Sequence, residues 1–249
     1  MKTCFTFLVS FLLVQYVATA QQPEGVVTYE RRQHWDKILS RLSYLSQEEK
    51  DRIVNTWKNV EEDKSKWMLY FSPTQSLYTY ANQGVADEAG GYSKRKEDYS
   101  IYRNFDRDQK TDLIETLGKT YIVEDSLHTP AWKILNQIKE VAGYVCMKAV
   151  TTDPIQGQTI TAWFSMDLPS QAGPERYFGL PGVILELCVN DGEVVVEAIE
   201  VTLRSVSGEL IVPTAKGKRI SDTTYNNLLK NHITQSIKAQ RNPYWTIRY

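Results

Sequence analysis

The sequence predicts a mainly β protein of the α+β class: an antiparallel sheet with two helices on one face. Three observations carry this. Strand-length runs rich in β-branched and aromatic residues recur about nine times between turn residues. Only two stretches repeat apolar residues at helical spacing. Strands and helices do not alternate, so the rhythm of a parallel sheet is missing.

The elements follow in order. Val26 to Tyr29 reads as a first strand. Ser46 with Glu49 three residues on is a capping box, and Ile53, Trp57 and Val60 form the buried stripe of a helix of about 15 residues. Residues 67–71 and 76–80 flank Ser72-Pro73 as a hairpin. Residues 84–98 carry Gly-Gly and mixed charge, a solvated loop. Residues 120–124 and 132–135 are further strands. Four stronger runs follow at 143–150, 158–165, 182–189 and 193–204. Pro154 and Gly157 turn the first pair; Asn190-Asp191-Gly192 turns the last. In the last run the apolar alternation changes face at Ala198. That predicts a bulge there, which bends the sheet, or a strand buried on both faces. Residues 221–240 form the second helix, capped at Ser221 or Asp222, with Tyr225, Leu228, Leu229, His232, Ile233 and Ile237 on its apolar stripe. Asn242-Pro243 ends it. The tail YWTIRY is expected to be a terminal strand; no repeated lipid-facing pattern of an outer-membrane barrel precedes it.

Residues 1–20 carry Lys2, an apolar run from Phe5 to Val17 and the small-x-small site Ala18-Thr19-Ala20, which predicts a cleaved secretory signal peptide. Residues 21–249 then form a single domain, exported to the periplasm or cell envelope, with no transmembrane segment in the mature chain. Cys4 precedes the apolar run, so no lipid-attachment cysteine is expected after Ala20. The net charge of −1 offers no electrostatic footprint for nucleic acid. Cys146 and Cys188 remain after processing. In an oxidising compartment they allow one disulfide, with two buried free thiols as the alternative.

Residues 173–185, GPERYFGLPGVIL, crowd two Gly/Pro pairs ahead of an apolar run. Gly173-Pro174 makes one corner. Gly179 loosens the chain, and Leu180-Pro181-Gly182-Val183 suits a type II turn with positive φ at Gly182. Val183, Leu185 and Leu187 then share one face of a core strand, with Ile184 among them in sequence. There is no phosphate-binding glycine pattern. The expected role is architectural: a crossover that touches no ligand.

YFGLPGVILEL resembles the signature of the GLPGLI family, envelope proteins of Bacteroidetes, with Val183 in place of the family's second Leu. The motifs WKI at 132–134, AGYVCMKA at 142–149, TAWFSMDLP at 161–169 and GPERYFGLPG at 173–182 fall in the family's order. Gln158 and Phe164 depart from it. The resemblance covers residues 130–190. It implies a strongly curved sheet or half-barrel like the periplasmic lipoprotein carriers of the LolA type. It also implies an accessory role near TonB-dependent outer-membrane receptors, but no catalytic residues and no cofactor.

No hydrolase elbow, zinc spacing or nucleophile context appears. His34 and His128 read as loop or surface residues, and His232 as a satisfied core histidine. Asp106, Asp108 and Asp112 lack the glycine and glutamate of a calcium loop. Glu186 and Glu200 could pair across strands, though alternation points them to solvent. No catalytic residue, metal or cofactor is therefore assigned. Trp132, Tyr144, Trp163, Tyr177 and Phe178 are candidates to line an apolar groove on the curved sheet. The expected function is a non-enzymatic envelope module that binds a hydrophobic ligand or an outer-membrane TonB-dependent receptor. A structural partner without a small ligand, and an exported hydrolase with dispersed residues, are the alternatives.

Overall fold

A computed structural model describes residues 23–57, 63–81 and 99–248. The expected signal peptide, the charged loop at 84–98 and Val60 lie outside them. The chain runs β1 (Gly25–Gln33), α1 (Trp35–Ser40), α2 (Gln47–Trp57), β2 (Asp63–Phe71), β3 (Gln75–Tyr80), β4 (Tyr99–Asn104), β5 (Gln109–Thr116) and β6 (Lys119–Asp125). It continues with β7 (Lys133–Val141), β8 (Tyr144–Thr152), β9 (Thr159–Ser165), β10 (Val183–Val189), β11 (Val194–Leu203), β12 (Lys218–Ile220) and α3 (Asp222–Lys238). A 3-10 turn at Pro243–Trp245 follows.

The twelve strands form one open sheet in the order β12-β6-β5-β4-β3-β2-β1-β11-β10-β9-β8-β7. Every neighbouring pair is antiparallel except β12 with β6. The mainly β class with a curved sheet is as the sequence predicts. Curvature shows in one ion pair. Lys139 of β7 meets Glu186 of β10, although the two strands lie three positions apart, about 14 Å in a flat sheet.

Three register shifts interrupt the sheet. The one in β7 leaves Asn136 and Gln137 over between Leu135, which faces Lys148, and Ile138, which faces Met147. The other two lie in β11 and β10. Thr28 faces Glu200 while Tyr29 faces Ala198, so Ile199 has no partner. This is the phase change read at Ala198, displaced by one residue. In β10, Ile184 faces Phe164 and Glu186 faces Trp163, which leaves Leu185 over. Around that bulge Ile184 donates its N–H to the Ala172 carbonyl at 3.0 Å. Its carbonyl accepts from the buried Tyr29 hydroxyl. Val183, Leu185, Leu187 and Val189 are buried as the core face expected of this strand, Ile184 is buried beside the bulge, and Glu186 and Cys188 opposite are half-buried.

The crossover corrects one expectation. Gly182 does not take a positive φ; Gly179 does, at +93°. No type II turn therefore centres on Pro181-Gly182. Gly182 is needed for closeness instead: a Cβ there would lie 2.0 Å from the Ser165 carbonyl oxygen. Such an approach leaves no room for any side chain.

The two expected helices match in place and differ in burial, and α1 is a further helix that no periodic stripe announced. Ser46 N–H donates to Glu49 Oε2 at 2.8 Å, and Glu49 N–H returns to Ser46 Oγ at 3.3 Å, the expected capping box. No residue of α2 is fully buried; Ile53 and Trp57 only rest against the core. In α3, Ser221 Oγ accepts from Thr224 N–H at 3.2 Å, and Tyr225 and Leu229 are buried. The tail is not a strand. Asn242 caps the 3-10 turn through Tyr244 N–H, and Tyr244 and Ile247 pack into the core.

Candidate functional site

A cleft of about 610 Å³ opens between the β4–β6 side of the sheet and α3. Four segments wall it: the loop at 128–131, the turn at 151–156, the crossover at 175–178 and the first turns of α3. Arg248 of the tail also lines it. The crossover read as purely architectural is therefore also a cleft wall. Its two glycine corners project Glu175, Arg176, Tyr177 and Phe178 inward.

Glu175 is a buried carboxylate in the lining. Its backbone holds φ +57°, a left-handed conformation uncommon for a residue with a side chain. Its carboxylate is 3% exposed. Arg248 grips it in a two-bond fork, Nε to Oε2 and Nη2 to Oε1, both 2.7 Å. Tyr99 donates to Oε2 at 2.8 Å and Tyr78 to Oε1 at 3.3 Å. Arg31 Nε lies 3.4 Å away. Burial pushes this carboxyl up, but Arg248 and Arg31 outweigh burial and hold it below the usual carboxylate range. The Arg248 guanidinium also stacks 4.0 Å over Trp67 and 3.9 Å over Tyr99. The tail turn delivers this arginine, which explains why the tail packs inward instead of adding a strand.

A second carboxylate set adjoins the first. Asp112 is fully buried between Arg103, Lys110 at 3.3 Å and Arg176 at 3.4 Å. Burial raises its carboxyl, yet Arg103, Lys110 and Arg176 pull it down to about 2. Asp222, in the first turn of α3, takes Lys110 and Arg176 as well, and Asn226 Nδ2 at 3.1 Å. Its carboxyl is also held low: burial opposes this, and Arg176 and Lys110 prevail. Burial lowers Lys110 itself, with Arg176 and Arg103 adding to the effect.

The five aromatic candidates separate. Tyr177 and Phe178 line the cleft. Trp132 braces them from behind, with Nε1 donating to the Phe178 carbonyl at 2.9 Å and its ring edge-on to Tyr177. Trp163 lies elsewhere, with Lys139 4.6 Å over its ring, and Tyr144 starts β8. Gly173, Pro174, Leu180, Pro181, Val183 and Ile184 shape the crossover behind Glu175. Cys146 and Cys188 are free thiols. Cys188 is level with Thr161 and thence Val150, so β9 and four residues of β8 separate it from Cys146. That exceeds the Cα span of a disulfide. Burial pushes the Cys146 thiol up to about 11.

Other readings resolve in the same way. His128 stands on the exposed rim of the cleft, and His34 precedes α1 as its cap residue. His232 Nε2 lies 3.0 Å from the Pro243 carbonyl, a satisfied partner for the tail. Glu186 pairs with Lys139 and faces Glu197 in register, so it forms no pair with Glu200. Among the described residues no three metal-ligating side chains gather. Among them no helix is long and apolar enough to cross a membrane. Sequence reasoning gave no site role to Arg103, Lys110, Glu175, Arg176 or Arg248, and weighed Asp112 only as a calcium-loop residue and Asp222 only as a helix cap. The one local signal was the strand-length spacing of Arg103 and Asp112 about the Asp106–Asp108 turn.

The profile of a family described as "Protein of unknown function (Porph_ging)" matches residues 155–186, from the cleft turn through the crossover into β10. No curated protein sequence matches the chain. Two solved structures, described as "Structure of PNGF-II in P21 space group" and "Structure of PNGF-II in C2 space group", are similar at TM-score 0.54 with 15% and 14% identity. The likeness covers 83% of this chain and 33% and 32% of theirs. This chain thus spans about a third of the length of those proteins and shares with that part a fold.

Proposed function

We propose that the protein is a non-enzymatic binding module of the GLPGLI type, exported to the periplasm or cell envelope, that holds a small ligand in the cleft. The observation that carries this is the position of the crossover. The residues between its glycine corners are the ones that wall the cleft, and Glu175 adopts an unfavourable backbone conformation to reach the lining. The volume lies in the range of small-molecule pockets. The floor suits holding rather than proton transfer. Each of its carboxylates is locked by guanidinium or ammonium groups and stays ionised at neutral pH, far from the poise of a general acid or base. An accessory place beside a TonB-dependent outer-membrane receptor is the setting that the family resemblance suggests.

Native mass spectrometry of protein purified from an envelope fraction tests this reading. A reproducible adduct that disappears on organic extraction is expected. Ligand-free protein, together with no uptake of any small amphiphile added afterwards, overturns it. Recovery of a receptor after mild cross-linking of intact envelopes tests the setting separately.

A further inference from the structure

We infer that the cleft selects an amphipathic acid: an anionic head, carboxylate or phosphate ester, against Lys110, Arg176 and Arg248, with an apolar body along Tyr177, Phe178 and Leu229. This rests on the binding reading above and adds the ligand's chemical class.

The argument is a balance of donors and acceptors on the cleft floor. The carboxylates are already engaged: Asp222 takes Lys110, Arg176 and Asn226, and Asp153 on the wall takes two backbone N–H groups and the Tyr177 hydroxyl. Both oxygens of Glu175 are taken up by Arg248, Tyr99 and Tyr78, with Arg31 close by. Asp112 is shared among Arg103, Lys110 and Arg176. The donors are not exhausted. A guanidinium carries more N–H groups than these bonds use, and an ammonium has three. Arg248 commits Nε and Nη2 to Glu175. Arg176 gives one bond each to Asp112, Asn226 and Asp222. Among the described residues Lys110 pairs with Asp222 and Asp112. All three line the cleft. A ligand that brings acceptors, above all charged ones, complements this floor.

A wholly apolar ligand fits worse. It would strip water from cations that have donors left over, and such desolvation is unfavourable without a compensating anion. The walls argue equally against a small inorganic ion as the whole ligand. Tyr177, Phe178, Ile155 and Leu229 give the upper cleft an apolar surface that an ion would leave wet. Lys110 agrees with this picture: its lowered proton affinity reports a site where burial and neighbouring cations outweigh two carboxylates.

The test uses the neutral fluorophore N-phenyl-1-naphthylamine to report cleft occupancy, displaced in turn by decanoate, decyl phosphate and decanol. Decanoate or decyl phosphate is expected to displace it at a concentration at least tenfold below that of decanol, and the preferred acid identifies the head. Lys110→Gln should erase most of that ratio, and Tyr177→Ala should weaken acid and alcohol alike. Equal displacement by acid and alcohol in the unmodified protein overturns the acid inference while leaving the binding reading intact. That comparison needs no variant to fold. An acid preference unchanged in a Lys110→Gln protein and in an Arg176→Gln protein of native circular dichroism also overturns it. Failure of the fluorophore and of all three competitors to bind defeats both.

Discussion

One apolar core runs under the whole sheet, but its two halves differ in character. Across β8–β11 the inward side chains are Ala149, Ile160, Ala162, Phe164, Leu187 and Val196, all fully buried and all apolar. Across β3–β6 the inward face carries Tyr78, Ile101, Ile114 and Val123 of the same core, but buried among them are Arg103, Lys110 and Asp112, joined by Glu175 from the crossover. The first half is held by non-directional burial, which tolerates exchange of similar shapes. The second adds directed bonds between charges that have little access to water, where removing one partner strands the rest. The cleft lies over the second. Apolar burial supplies the rigid frame, and in the proposed function the ionic half supplies selectivity.

The sharpest test is a swap that conserves size and removes charge. Glu175→Gln keeps the shape and leaves Arg248 and Arg31 without their shared carboxylate. It should cost about 3–5 kcal/mol in urea unfolding. A loss below about 1 kcal/mol would show that the ionic half is solvated, and the contrast between the halves would dissolve.

Acid should separate the halves next. Asp112 titrates near 2 in the folded protein against about 3.9 when unfolded. Its folded value is depressed, so its contribution is complete above the unfolded value and disappears as pH falls through the folded one. Glu175 and Asp222 shift in the same direction. Stability should therefore drop between about pH 4 and pH 2, by on the order of 2 kcal/mol for Asp112 alone. Hydrogen exchange at pH 3 should show β4 and β5 opening before β9 and β10. Uniform loss across both pairs would count against two distinct halves.

The smallest effect is expected in the apolar half. Leu187→Met should cost under about 1.5 kcal/mol and show no pH dependence between 3 and 7. A larger cost would mean that the packing there is as particular as the ion pairs.

The same contrast explains what could be read beforehand. The runs at 158–165 and 182–189 were legible because their buried positions are apolar and their ends are Gly, Pro or Asn-Asp-Gly. The change of phase at Ala198 located a bulge to within one residue. β4 and β5 were missed because Arg103, Lys110 and Asp112 point inward and mimic a solvated surface. The tail was misread because YWTIRY has strand-like composition; Arg248 pairing with Glu175 is what folds it inward. Of the five aromatics expected on a groove, Tyr177 and Phe178 line the cleft and Trp132 packs behind them. Tyr144 and Trp163 do neither, since aromatic content does not say which face of a coiled sheet a residue serves.

By itself the sequence determined the elements whose signals are local: the capping box at Ser46, the cap at Ser221, the corners around Gly173 and Gly182 and the alternating strands from Tyr144 onward. Only the tertiary structure decided the site. Its bonds join Asp112 to Arg176 and Glu175 to Arg248, partners 64 and 73 residues apart. Charge pairing at that separation leaves no periodic trace in the chain, because it depends on where the folded sheet brings two side chains and not on what lies beside them in sequence.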